Sequence, residues 1–420
     1  MMRAMATTFQ RARSGEQMIE VEEAQRRVLA EVPVFGVEEV ALVDALGRVL
    51  REDVAAPDDA PQRDNSAMDG YAVRAEDVAK APVSLRVIED LPAGTVATKR
   101  VAAGTAIRIM TGALLPEGAD SVVQVELTDA GSDVVRVGEA VPRGANVRRR
   151  GEDMHRGDVV LRDGTPIRAG ELGVLASVQQ RVVRVGRRPE IAIFSTGDEV
   201  IDVDAPRVLG KVVNSNAYAL AALVREAGAI ARVLPIVPDR AEATVKAIEE
   251  ALKSDFVVSS GGVSAGAFDF VKDALDSLGA ETKFWQVAMK PGKPVVLSRV
   301  RDRLYFGLPG NPVSCMVAFL LFVAPSIRKA MGQRSAILPP IANVRLAAPL
   351  RGKGDRRTYF RVRVVAMDGE LVAQPAPAQG SGVLTSMIGA NGLAILERGT
   401  TRAEAGSVVP CVLIASVASE

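Results

Sequence analysis

The chain has 420 residues, 48% of them hydrophobic and 25% charged, a length that predicts roughly two to four domains rather than a single core. Lys plus Arg (52) nearly balances Asp plus Glu (51), leaving a net charge of +1, which gives no support for general nucleic-acid binding. Two cysteines, Cys315 and Cys411, and one histidine, His155, exclude a disulfide framework, the usual Cys/His metal clusters and most Ser-His-Asp or Cys-His designs.

An enzyme with this composition works with carboxylates, lysines, arginines, hydroxyls and backbone amides. The cysteine usage suits a reducing compartment, so a cytoplasmic location is expected. Met1–Gly15 lacks the apolar stretch of a signal peptide and reads as a flexible leader. No apolar run reaches the ~18 residues of a membrane span. The longest, Pro312–Pro325, reads as a buried helix, and no membrane association is expected.

Along the chain, Ile19, Val21, Ala24, Val28 and Leu29 recur at helical spacing. Between Ser66 and Glu152 short β-rich runs (Ser84–Ile88, Ala106–Met110, Ser121–Glu126, Val134–Val137) alternate with Gly, Pro and Asp turns, predicting a β-rich domain. Residues 160–186 add short strands and a helix over Ala169–Val178, and could complete a segment that the β-rich domain interrupts. From Arg187 the pattern is α/β. Strands are predicted at Ile191–Phe194, Ala231–Val237, Phe256–Ser259, Phe284–Met289 and Val295–Ser298. Helices are predicted at Asn216–Ala227, Ala241–Leu252, Phe270–Leu278 and Val313–Ala330, the last with a break at Pro325. From Pro339 the pattern returns to β, with strands at Ile341–Leu346, Tyr359–Val365, Leu371–Gln374, Gly392–Leu396 and Ser407–Ile414.

Three segments rich in small and polar residues fall at strand ends of the α/β part: Phe194–Glu199 (FSTGDE), Ser259–Ser264 (SSGGVS) and Gly307–Pro312 (GLPGNP). Open α/β sheets bind ligands there, glycines let backbone approach a ligand, and helix N-termini favour anions. Each segment alone could equally be a connecting turn. Neither the P-loop nor the dinucleotide fingerprint occurs. Lys290-Pro291-Gly292-Lys293-Pro294 holds two ammonium groups on a stiffened turn, which suits an oxyanion or, alternatively, a solvated basic turn. Asp198, Glu199, Asp239 and Asp269 share that edge. Carboxylates beside phosphate-binding turns hold Mg²⁺ with water ligands, although singly each is more often a helix cap, as Asp239 could be. In the β-rich part, Asp64–Ala72 (DNSAMDGYA) and Ile109–Ala113 carry more polar groups than turns need. Arg148–Asp153 reads as a solvated charge run, and His155 has no evident partner. Trp285, Met289 and Cys315 read as packing.

Together, Asp64–Ala72, Arg108–Ala113 (RIMTGA), Arg149–Asp153 (RRGED), Phe194–Glu199, Ser259–Ser264, Lys290–Pro294 and Leu308–Ser314 (LPGNPVS) resemble, in order, the signature blocks of the molybdopterin molybdenumtransferase family, MoeA and the gephyrin C-terminal domain. The resemblance covers nearly the whole chain. It implies an α/β plus β multidomain fold: a segmented linker domain (16–54 and 156–186), an inserted β-rich domain (55–155), a doubly wound α/β molybdopterin-binding domain (187–336) and a C-terminal β barrel (337–420). It implies a homodimer whose cleft lies between the α/β domain of one subunit and the inserted domain of the other. The implied reaction inserts molybdate into adenylated molybdopterin with Mg²⁺ and release of AMP. Molybdopterin adenylyltransferase and apo-molybdoenzymes are the implied partners.

By position, the resemblance implies catalytic roles for Asp69, Thr111, Asp153 and Glu199. It places substrate on Gly261, Gly262, Ser264, Gly310 and Asn311, and molybdate on Ser264, Lys290, Lys293, Pro294, Arg361 and Ser381. Metal ligation falls to Glu199, Asp239 and Asp269. Lys293→Ala is expected to impair molybdate binding more than pterin binding. The chain departs from the family at Arg240, where a second acid is common, and at Ala265–Phe268, which lack a usual charge; both departures fall beside the implied metal ligands. The competing readings are a carrier that binds pterin without turnover, a related pterin or nucleotide enzyme, and a tungstate-handling enzyme.

Overall fold

The computed structural model describes residues 18–263 and 270–419. The Met1–Gly15 leader, Ser264 and Asp269 lie outside the described residues. The described chain divides into two compact units, one of residues 53–162 and 169–181, the other of 18–52, 163–168 and 182–419.

The first unit carries a five-stranded sheet in the order Ser121–Gln124, Gly70–Val73, Thr105–Ile109, Val83–Leu91, Val134–Val137. All four β-rich runs expected here are strands of this sheet. Gly70–Val73, at the end of the DNSAMDGYA block, was not expected as a strand. Its glycine has a steric cause: a Cβ at Gly70 would lie 1.9 Å from the Val123 carbonyl oxygen of the neighbouring strand.

The second unit is organised by a six-stranded sheet. Its strands are β1 (Glu190–Ser195), β2 (Ile230–Val233), β3 (Phe256–Ser260), β4 (Glu281–Gln286), β5 (Pro294–Val300) and β6 (Arg303–Leu308), ordered β2-β1-β3-β6-β5-β4. β2, β1, β3 and β6 run parallel, while β5 is antiparallel to both its neighbours. Alternate residues feed cores on opposite faces. Ile191, Ile193, Phe256, Val258, Leu304 and Phe306 pack on one side, Ala192, Phe194, Val257 and Tyr305 on the other. Burial on both faces is why these strands read as continuous apolar runs rather than alternating ones. The chain leaves β1 for β2 on one side through the helix Ser215–Glu226, then returns past β1 to β3 through the helix Ala241–Ala251. β1 and β3 thus flank a topological switch point, where a doubly wound sheet opens a crevice beyond its carboxyl ends.

The apolar run Pro312–Ala330 is one continuous helix, 78% buried within the protein. It does not break at Pro325. A π-helical turn over Phe319–Val323 precedes the proline instead. Proline cannot donate to the carbonyl four residues back. Gln25 Nε2 donates to that carbonyl, Leu321 O, at 3.3 Å, and Ser326 Oγ donates to Phe322 O at 2.7 Å. The helix Val21–Glu31 predicted near the N-terminus supplies Gln25 and buries Val21, Ala24 and Val28.

The C-terminal strands close into a barrel. Arg357–Met367, Glu370–Pro375, Ile341–Leu346, Val408–Leu413 and Gly392–Leu396 pair in turn, and the last pairs back onto the first. Met289–Lys290 adds in parallel to Arg357–Thr358, which ties the KPGKP turn to the barrel.

Candidate active site

The three small-residue turns meet at the switch point and are joined by hydrogen bonds. Thr196 N donates to Ser260 O at 3.0 Å, Gly197 N to Val237 O at 3.2 Å, and Gly261 N to Leu308 O at 3.0 Å. Asn216 Nδ2 donates to both Ser260 Oγ (2.6 Å) and Gly310 O (2.7 Å). Asn214 caps the helix Ser215–Glu226 by accepting from Ala217 N at 3.2 Å, and its Oδ1 also accepts from Ser195 Oγ at 2.8 Å. These two asparagines hold the turns in place. Sequence reasoning missed their role, because Asn at a helix start reads only as a cap.

The turns line a cleft of about 820 Å³, which receives Thr196, Gly197, Glu199, Asp239, Gly261, Gly262, Gly310 and Asn311 among others. Gly261 (φ 94°) and Gly262 (φ 66°) are both left-handed, a conformation that side chains disfavour. Among the described residues, no acceptor is paired with the amides of Gly262, Gly310 or Asn311. Asn311 also precedes the helix starting at Pro312, whose N-terminal end favours an anion.

One wall of this cleft is acidic. Asp198 N donates to Asp239 Oδ2 at 3.4 Å and Asp239 N to Asp198 Oδ1 at 3.2 Å. Asp239 therefore does not cap the following helix, whose N-cap is Arg240 with no side-chain bond. Burial, then repulsion from Glu199 and Asp198, raises the Asp239 carboxyl above the usual carboxylate range, against the Asp198 amide. Two or three acids held near one another are suited to a divalent cation, and Lys211 Nζ also reaches this turn, donating to Asp198 O at 2.6 Å. Among the described residues the acids form no closed cage of three ligands. That fits Mg²⁺, which typically takes one or two carboxylates and completes its shell with water and phosphate oxygens.

A second cavity, of about 380 Å³, adjoins the first. Pro294, Pro309 and Asn311 line both. Lys290, Arg351, Arg361, Ser314 and Ser381 complete it. Lys290, Pro294, Arg361 and Ser381, four of the positions singled out for molybdate, are thus brought together. Lys293 is half-buried on the same turn but lines neither cavity, and Ser264 lies outside the described residues. Arg361 is only 1% exposed. Its Nε donates to Ser386 Oγ at 3.2 Å and its Nη2 to Gly380 O at 3.2 Å, which fixes the guanidinium. Burial lowers its pKa from the usual arginine value. Arg351 was not anticipated, since nothing in its sequence neighbourhood marks it.

In the other unit, Asp69 and Thr111 meet directly. Asp69 Oδ1 accepts from Thr111 N (2.6 Å) and Thr111 Oγ1 (2.8 Å). The Thr111 amide, then its hydroxyl, hold the Asp69 carboxyl below the usual range, with Arg108 adding to this and desolvation opposing it. The three signature blocks of this unit converge. Gly112 N donates to Ser66 O (2.8 Å), and Asp64 accepts from Arg149 Nη1 (2.7 Å) and Arg150 N (2.8 Å). The charge run Arg148–Asp153 is therefore engaged in a network rather than merely solvated. Its Asp153 is exposed, and no hydrogen bond joins it to Asp69 or Thr111. His155 does have a neighbour, Asp59, at 3.9 Å. Cys315 is buried and its thiol is pushed up to about 12, which removes it from thiolate chemistry.

A cleft of glycine turns and amides at a switch point, beside a cavity lined by Lys290, Arg351 and Arg361, has the chemistry to receive anionic ligands. Three family models match along the chain. Residues 19–178 match the MoeA N-terminal region (domain I and II), 192–329 a probable molybdopterin binding domain, and 343–414 the MoeA C-terminal region (domain IV). The chain is 40% identical over 379 residues to the molybdopterin molybdenumtransferase of a Nostoc species, covering 88% of this chain and 87% of that one. It is 38% identical over 405 residues to that of Bacillus subtilis, covering 94% of each. The crystal structure of a molybdopterin biosynthesis MoeA protein from Pyrococcus horikoshii superposes with a TM-score of 0.79 at 29% identity, covering 94% of this chain and 100% of that one. The chain belongs to the molybdopterin molybdenumtransferase family, and is a transferase of molybdenum cofactor biosynthesis.

Proposed function

We propose that the 820 Å³ cleft holds adenylated molybdopterin by its phosphates and that the adjoining cationic cavity holds molybdate, so that transfer of the metal to the dithiolene accompanies cleavage of the phosphoanhydride and release of AMP. The observation that carries this reading is the shared wall of Pro294, Pro309 and Asn311, which sets the cationic cavity directly against the glycine-turn cleft.

Lys290, Arg361 and Ser381 supply fixed cationic and hydroxyl contacts to the tetrahedral anion. Because Arg361 is already held by Ser386 and Gly380, little reorganisation accompanies binding. The amides of Gly262, Gly310 and Asn311 receive phosphate oxygens, and the fixed turns keep the two reactants in reacting geometry. Glu199 and Asp239 would hold Mg²⁺, with Asp269 as a third candidate, and the bound ion would supply charge neutralisation for the leaving phosphate. Catalytic roles for Asp69, Thr111 and Asp153, implied by their positions in the family's blocks, belong to the same proposal. The finer division into four domains, a homodimer, a cytoplasmic location, and exchange with a molybdopterin adenylyltransferase and apo-molybdoenzymes belong to the same proposal.

The test is AMP release from adenylated molybdopterin with Mg²⁺, with and without molybdate. Release that rises with molybdate, giving a pterin that activates an apo-molybdoenzyme, is the expected result. Tight pterin binding without AMP release under molybdate or tungstate would leave a carrier instead.

A further inference from the structure

Thr196 follows β1 at the floor of the cleft and is only 7% exposed. Its amide donates to Ser260 O, and the flanking Ser195 O and Gly197 N make the bridge to Val237. Its hydroxyl Oγ1 is buried with no hydrogen-bond partner among the described residues. The neighbouring Ser195 hydroxyl, by contrast, is satisfied by Asn214 at 2.8 Å. Most buried hydroxyls in folded proteins find a partner, and leaving one without is disfavoured. Packing does not account for the residue, because valine fills the same shape without the unpaired oxygen.

The surroundings of that oxygen point to a ligand. The two left-handed glycines lie against it, so that a Cβ at Gly261 would come within 3.0 Å of Thr196 Oγ1 and one at Gly262 within 2.9 Å. The hydroxyl thus sits beneath the part of the turn whose Gly262 amide also has no acceptor among the described residues. A phosphate oxygen is an acceptor only, and a hydroxyl next to free amides completes a donor set for it.

We infer that Thr196 is a substrate-contacting residue whose hydroxyl donates to a phosphate oxygen of the pterin substrate on the Gly261–Gly262 turn, and so selects the phosphorylated ligand. This assignment rests on the cleft being the pterin-phosphate site. The oxygen is covered in the ligand-free protein, so binding shifts the turn slightly. Two glycines make it the most compliant wall of the cleft.

The test uses the full chain with Thr196→Val and Thr196→Ser, titrated with molybdopterin and with its dephosphorylated form, alongside melting of the ligand-free proteins. Thr196→Val is expected to bind molybdopterin about tenfold more weakly, the worth of one hydrogen bond to a charged group. It is also expected to melt higher than wild type, because the unpaired hydroxyl is gone. A purely structural residue would not move these two readouts in opposite directions. Thr196→Ser should restore binding, and the dephosphorylated pterin should not distinguish the three proteins. Equal molybdopterin binding by wild type and Thr196→Val would overturn the assignment, as would a Thr196→Ser variant as weak as Thr196→Val. A loss that extends equally to the dephosphorylated pterin would overturn the phosphate contact. Failure of the wild type itself to bind molybdopterin would overturn the reading of the cleft, and the assignment with it.

Discussion

The two adjoining cavities are made in different ways. The larger is built from backbone: three turns at the ends of β1, β3 and β6, glycines at positive φ, and amides without acceptors among the described residues. The smaller is built from side chains brought from distant positions, Lys290 from the KPGKP turn, and Arg361 and Ser381 from the barrel. A backbone site tolerates changes of side-chain charge but not of shape. A side-chain site shows the reverse. The difference lets each cavity be damaged while the other is left intact.

The largest expected effect is at Lys290. Removing a charge-assisted contact costs about 1.5–3 kcal/mol, so Lys290→Ala should weaken molybdate binding roughly 10- to 100-fold in a calorimetric titration, with pterin affinity unchanged. Lys293→Ala should act in the same direction but less, because Lys293 does not line the cavity. On the backbone side, Gly261→Ala forces a Cβ to 3.0 Å from Thr196 O and Oγ1 at a φ of 94°. It should cost roughly 1–2 kcal/mol of stability in denaturant titration and displace the pterin, with the smaller cavity untouched.

The acidic wall gives a smaller effect of a distinct sign. Because the Asp239 carboxyl is raised by burial and by Glu199 and Asp198, its contribution to stability is present below the unfolded pKa and is lost as pH rises through the folded one. Asp239→Asn should therefore raise the melting temperature of the ligand-free protein at pH 7 and not at acidic pH, and remove the stabilisation that added Mg²⁺ confers. A lower melting temperature at pH 7 would mean that Asp239 is a structural acid. The smallest effect is at Asp69, whose lowered carboxyl contributes stability above its unfolded pKa that is lost as pH falls through the folded value. Thr111→Val keeps the stronger amide donor and removes the hydroxyl, so a carboxyl titration followed by NMR should show only a partial return toward the ordinary range. No change would mean that the hydroxyl contact is absent in solution.

The same contrast explains what was legible in the sequence. Turn chemistry is local, so FSTGDE, SSGGVS and LPGNPVS could be read as three loops at one sheet edge before any fold was known. The α/β strands were readable because burial on both faces produces unbroken apolar runs such as Ile191–Phe194. β6 was not read as a strand in its own right: Arg303 opens it and Gly307 interrupts it, and that glycine is needed only because Val263 and Val296 pack across it, at 2.7 and 3.1 Å from where a Cβ would be. The π turn before Pro325 was equally hidden, since the donor that makes it tolerable, Gln25, is about 300 residues away in the chain. Arg351 at the smaller cavity, Ser386 behind Arg361, and Asn216 across the turns are brought into place by the fold, which no local pattern encodes. Arg361 and Ser381 came only from family resemblance.

The central claim is that two substrates occupy two separately built cavities that share one wall. The most direct measurement is a pair of titrations, molybdate and molybdopterin, on wild type, Lys290→Ala, Gly261→Ala and the double variant. The account predicts that Lys290→Ala loses molybdate alone, Gly261→Ala loses pterin alone, and the double variant shows both losses unchanged in size. If either single substitution weakened both ligands to the same extent, the two cavities would be one site and the account would be wrong.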